Sequence, residues 1–226
     1  MMKSWRLGTV LGFPVDLSVS FLILLGLVFV AFGGLPGVLL VSLVFASVVL
    51  HELGHALVAR KLGVRISGIE LGFFGGAAKM VDMPRTANHE LAIAAAGPAV
   101  SLMLGGAGLG LAALTHIGLF AWLGYTNLIL AGFNMIPALP MDGGRILRAL
   151  LTRKLDFVQA TDVAVKVARV VAVAFGLFGL TTGAYQLLLL APFLWLMGTR
   201  EQMVARMMAS RYAYSRDGYV ELTPRW

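Results

Sequence analysis

Leu39-Leu40-Val41-Ser42-Leu43-Val44-Phe45-Ala46-Ser47-Val48-Val49-Leu50 runs without a charge into His51-Glu52-Leu53-Gly54-His55, and Ala56-Leu57-Val58-Ala59 follows at once. The stretch reads as a membrane span that carries two imidazoles and a carboxylate. Such groups at bilayer depth are costly and mark a functional site by default. On a helix, residues four apart share a face, so His51 and His55 present two nitrogens to one point. Glu52 stands beside them as a base, the spacing of a zinc-dependent hydrolytic site.

Composition supports a lipid setting for this span. The 226 residues are 59% hydrophobic and 13% charged, with a mean hydropathy of +0.87. Charged residues make up about 25% of an ordinary soluble domain, so this chain lacks the polar groups to cover its surface. There is no Cys, which excludes a disulfide framework, thiolate ligation of metal and a cysteine nucleophile. Residues after Met1 to Ser4 show no short apolar run with a small-residue cleavage site, so no removable signal peptide is expected.

Apolar runs of about 17 to 25 residues give six expected spans. They cover 17–32, 36–61, 88–114, 118–136, 162–180 and 182–198. All 18 basic residues fall on one side of this arrangement, with Lys166 and Arg169 snorkelling from the start of the fifth span. The positive-inside rule makes that side cytoplasmic, and both termini with it. The net charge of +7 is therefore topological. Nucleic acid is not an expected partner, since no basic stripe is interleaved with aromatics.

Two pieces resist a helical reading. Residues 5–16 hold Gly8, Gly12 and Pro14 between short apolar stretches, which suggests two short strands. Residues 66–80 alternate in places around Gly68, Gly72, Gly75 and Gly76, which suggests a β-hairpin or re-entrant segment near the cytoplasmic face. The expected fold is a polytopic α-helical membrane protein of six spans with this small β element. Residues 1–200 form its core, and 201–226 a short basic tail, helical to about Tyr212.

Catalytic zinc normally takes three protein ligands and leaves a position open. Among candidates for the third, His116 lies at the opposite membrane face, and His89 reads as a polar cap at the start of the third span. Asp142 is the better candidate, in Asn134-Met135-Ile136-Pro137-Ala138-Leu139-Pro140-Met141-Asp142-Gly143-Gly144. Pro137 and Pro140 forbid a continuous helix, and Gly143-Gly144 allow close backbone approach. The turn would hold one carboxylate at a fixed place. Asp142 could also cap the helix that follows.

These paired motifs resemble the site-2 proteases, intramembrane zinc metalloproteases with H-E-x-x-H in one span and N-x-x-P-x-x-P-x-D-G near another. Here the first is His51 to His55, and the second is Asn134, Pro137, Pro140, Asp142 and Gly143. Ala96-Gly97-Pro98 and the Gly-rich segment before it are also similar. Met141 stands where the family usually has Leu. The resemblance is to the compact six-span prokaryotic type, so neither a PDZ insertion nor a C-terminal CBS pair is expected.

The resemblance implies one Zn2+ per chain, held by His51, His55 and Asp142, with Glu52 as general base. Asn134 is either a donor to the developing oxyanion or a structural hydrogen bond at the end of the fourth span. The implied substrate is a transmembrane helix of another protein, cut at a site toward the cytoplasmic side of the cell membrane. A gluzincin-type protease would instead need a downstream glutamate, and only Glu201 and Glu221 follow Glu90. A metal transporter would need no base beside the His pair.

Overall fold

The computed structural model describes residues 4–31, 34–73, 75–82, 84 and 86–216, with side chains described to residue 209. The chain forms two compact units, Met1–Met135 and Ile136–Trp226. The first holds strands β1 (Ser4–Val10) and β2 (Phe13–Ser18), helices α1 (Val19–Ala31) and α2 (Leu35–Lys61), strands β3 (Ile66–Gly72) and β4 (Gly75–Met80), and helices α3 (Ala87–Thr115) and α4 (Gly118–Asn134).

The two expected β pieces are joined in one four-stranded sheet of order β1-β2-β3-β4. Both hairpins are antiparallel, and β2 pairs with β3 in parallel through Val15–Ile69, Asp16–Glu70 and Leu17–Leu71. A parallel pair needs a long crossover, and α1 with α2 provides it. At the β1–β2 turn Leu11 and Gly12 both take positive φ, 50° and 87°, as a primed two-residue hairpin turn requires. Arg60, in the last turn of α2, donates to Leu11 O at 2.9 Å and lies 4.6 Å over the Phe13 ring. Arg65 grips Asp82 through Nε at 2.7 Å and Nη2 at 2.8 Å. That bond and the carboxylate charge raise the guanidinium pKa above its ordinary value.

One face of the sheet packs on α2. Phe13, Ile69 and Leu71 join Phe45, Val48, Leu53 and Ala56 in a buried cluster. Small residues bring the helices together. A β-carbon on Gly54 would meet Val100 Cγ2 at 2.8 Å and Ala96 O at 2.9 Å, so α2 and α3 touch backbone to backbone there. Gly108 and Gly124 do the same between α3 and α4. Membrane helices pack this way because van der Waals closeness replaces the hydrophobic drive that lipid removes.

The second unit contains α5 (Asp142–Leu151), α6 (Phe157–Thr182) and α7 (Tyr185–Arg216). Asp156 caps α6 by accepting from Gln159 N at 2.8 Å. Gly183 ends it in the left-handed region, and α7 returns along it. The expected sixth span and the start of the tail are one continuous helix. Apart from Val204, its residues Glu201 to Met207 are strong helix formers that carry the spiral past the apolar run. Arg148, buried on α5, pairs with Glu201 at 3.0 Å and lies 5.0 Å over Phe157.

Among the described residues, three helices are long and apolar enough to cross a membrane: α2, α3 and α6. α1 is apolar but has 13 residues, and α4 has 17.

Candidate metal centre

α2 carries His51, Glu52 and His55 in unbroken helix, and their ligand atoms lie within 4.8 Å of one another. Both histidines are buried, at 2% and 3% exposure. Their rings meet edge to face with centroids 4.9 Å apart, and the two Nε2 atoms are 3.2 Å apart.

The opposite nitrogens are held by α3. His55 Nδ1 lies 2.6 Å from the carbonyl oxygen of Ile93. A carbonyl can only accept, so Nδ1 carries the proton and a neutral His55 turns the lone pair of Nε2 toward His51. His51 Nδ1 lies 2.9 Å from Ser101 Oγ. Between these two contacts sits Gly97. A β-carbon there would come within 2.6 Å of His51 Nε2, and closer still to His55 Nε2. Ile93, Gly97 and Ser101 are four apart, so α3 faces the histidine pair with one stripe.

The donor set fits a zinc ion. Two nitrogens bound tetrahedrally at about 2.0–2.1 Å stand about 3.3–3.4 Å apart, and the pair here is at 3.2 Å. Ring orientation is fixed from behind, as in most histidine metal sites, and the missing side chain at Gly97 keeps the near side open.

Glu52, half-buried, turns toward the sheet. Its Oε2 accepts from the backbone N–H of Ala78 on β4 at 2.9 Å. Gly76 makes room for its stem, since a β-carbon there would meet Glu52 Cγ at 3.0 Å and Val48 Cγ1 at 2.9 Å. The outermost strand of the sheet thus touches the carboxylate beside the histidine pair.

Asn134 and Asp142 lie at the ends of elements. Asn134 closes α4, and its Nδ2 donates to Leu130 O at 3.0 Å. The amide nitrogen has two hydrogens, so this bond occupies one of them. Asp142 is buried in the second unit as the first residue of α5, and Met141 stands at the N-cap. A carboxylate in that first turn meets the positive end of the helix dipole. The Pro-rich turn before it contains a cis Leu139-Pro140 bond. A β-carbon on Gly144 would meet Ala138 C at 2.6 Å, which is why glycine stands where α5 folds back on the turn. His116 ends α3 in the left-handed region, and His89 gives its backbone N–H to the Thr86 cap.

Sequence reasoning missed Ser101, the Ile93 carbonyl and the Ala78 amide. Only Ser101 left a trace, as a polar residue four after Gly97 in an apolar run. A further polar contact lies one turn before His51, where Asn127 Nδ2 on α4 donates to Ser47 Oγ at 3.0 Å.

Fold and centre together define a helical membrane protein with a two-histidine, one-glutamate metal site. The profile of peptidase family M50 matches residues 39–118 and 109–175, more than half of the chain. The chain belongs to that family. It is 37% identical over 212 residues to a zinc metalloprotease of Methanocaldococcus jannaschii, covering 90% of this chain and 62% of that one. To stage IV sporulation protein FB of Bacillus subtilis it is 34% identical over 116 residues, covering 50% and 40%. The solved structure of a site-2 protease from Methanocaldococcus jannaschii superposes with a TM-score of 0.71 at 34% identity. That match covers 99% of this chain and 100% of the other. The chain spans less than two thirds of the length of the curated relatives it matches.

Proposed function

We propose that the protein is an intramembrane zinc metalloprotease that hydrolyses peptide bonds in or near the transmembrane helices of other proteins. The observation that carries the reading is the histidine pair. Both Nε2 atoms converge on a space kept open by Gly97, with Glu52 beside it. The family membership of the chain adds to it.

Asp142 is the third ligand in this reading, completing the set with His51 and His55. Zinc, when bound, supplies a Lewis acid that lowers the pKa of water toward about 7. Glu52 accepts the proton of the attacking water and passes it to the leaving amine. The N–H of Ala78 holds that carboxylate in place. In this reading Asn134 is the donor to the developing oxyanion, through the amide hydrogen that Leu130 O does not take.

A substrate helix hides its peptide bonds in its own hydrogen bonds and must unwind locally. As an outer strand of the sheet, β4 offers an edge on which the unwound segment can pair. The wider topology follows the basic residues: six spans, both termini and the active site toward the cytoplasm, 1–200 as the core and 201–226 as a basic tail. Glu201 pairs with Arg148, which argues against its use as a gluzincin-type ligand.

The test is cleavage of a single-span substrate by purified protein in detergent, comparing wild type with Glu52→Gln. Loss of cleavage with zinc retained is expected. Undiminished cleavage by the variant would overturn the mechanism.

A further inference from the structure

We infer that Ser101 is a positioning residue of the metal centre: its hydroxyl accepts from Nδ1–H of His51 and holds the ring so that Nε2 points at the metal. The inference rests on the proposed reading of the histidine pair as a zinc site.

Ser101 is fully buried, at 0% exposure, in the middle of an apolar helix. A serine at such a place ordinarily turns its hydroxyl back to the carbonyl four residues earlier. Here Oγ lies 2.9 Å from Nδ1 of His51, a residue 50 positions away on another helix. The partner of His55 makes the role specific. The Ile93 carbonyl can only accept, so it sets the His55 tautomer without choice. A hydroxyl can donate or accept. For His51 to ligate through Nε2, its Nδ1 must carry the proton and donate it in a hydrogen bond that Ser101 Oγ accepts. The two supports and the gap at Gly97 lie on one stripe of α3, so the helix that leaves room for the ion also aims both ligands at it.

Outer partners of metal-bound histidines are typically worth about 10–100-fold in metal affinity. The full-length protein in detergent is compared as wild type, Ser101→Ala and Ser101→Thr. Zinc affinity is read by chelator competition, and the histidine tautomers by imidazole nitrogen NMR of the zinc-loaded forms. Ser101→Ala should weaken zinc by about 10–100-fold and shift the His51 nitrogen signals while leaving those of His55 in place. Ser101→Thr keeps the hydroxyl and should restore both readouts.

Wild-type zinc affinity and unmoved His51 signals in Ser101→Ala would overturn the inference. So would equal losses in the Ala and Thr variants, which would make the site one of packing. The two readings fail differently. A wild-type protein that binds zinc but cleaves nothing overturns the protease alone, whereas one that binds no zinc overturns the metal centre and the role of Ser101 with it.

Discussion

Gly97 on α3 stands against His55 on α2 so closely that a β-carbon on the glycine would overlap the Nε2 atom of the imidazole. The same β-carbon would lie 2.6 Å from Nε2 of His51. A methyl group there fills the space toward which both ligand atoms point. The rings could escape only by breaking their bonds to Ile93 O and Ser101 Oγ. Gly97→Ala should therefore lose zinc and cleavage together, while circular dichroism shows the helix content of wild type. A variant that carries one equivalent of zinc by elemental analysis would contradict this account of the site.

Asp142→Ala tests the proposed third ligand. If Asp142 ligates as proposed, its removal should cost more than the about 10–100-fold typical of outer partners. The expected result is zinc affinity reduced by more than about 100-fold, with no cleavage at saturating substrate. Circular dichroism of the variant should show the helix content of wild type, since Met141 and not Asp142 stands at the N-cap of α5. Zinc bound as tightly as in wild type would remove Asp142 from the ligand set.

The β4 contact to Glu52 predicts a kinetic defect without a metal defect. Proline is tolerated on outer strands but has no N–H, so Ala78→Pro deletes the donor 2.9 Å from Glu52 Oε2. A hydrogen bond to a charged group is worth about 1.5–3 kcal/mol, so kcat should fall by about 10- to 100-fold. Zinc content should stay at the wild-type level. Ala78→Gly retains the N–H and should cleave at close to the normal rate. Turnover by the proline variant equal to that of wild type would mean that β4 neither holds the base nor pairs with substrate.

These tests reach residues that differ in how plainly the chain announces them. His51, Glu52 and His55 are legible because the helical period alone puts them on one side of α2. The turn from Asn134 to Gly144 is legible because two prolines forbid a helix and two glycines permit close approach. Residues 5–16 and 66–80 show as strands through their glycines and alternation. Their union in one sheet depends on Val15 meeting Ile69 across two helices, which no local pattern encodes. The supports of the histidines are harder still. Ile93 contributes a main-chain carbonyl, and Ala78 a main-chain amide, so side-chain identity carries no sign of either. Gly97 acts through the absence of a side chain, a role that appears only when α2 lies against it. The apolar run of the last span ends near Gly198, yet α7 continues, because the charged residues beyond it favour helix as strongly as those before.

That continuation gives Glu201 a structural task. The carboxylate sits one residue past the expected core, and reaches the buried guanidinium of Arg148 at 3.0 Å. Arg148 is 4% exposed and Glu201 38%, so the arginine bears most of the desolvation cost and depends on its acceptors. Hydrogen bonds to charged groups are typically worth about 1.5–3 kcal/mol when one end is buried. The exposure of Glu201 brings screening by water, which moves the expectation to the lower end. Glu201→Ala should therefore lower the stability of the protein by about 1–2 kcal/mol, read from denaturant unfolding in detergent. Zinc affinity and kcat should be unchanged under conditions where the variant is folded. Equal stability of variant and wild type would show that the 201–226 segment contributes nothing through this pair. A loss of zinc in the folded variant would instead tie Glu201 to the metal centre, as the gluzincin arrangement requires.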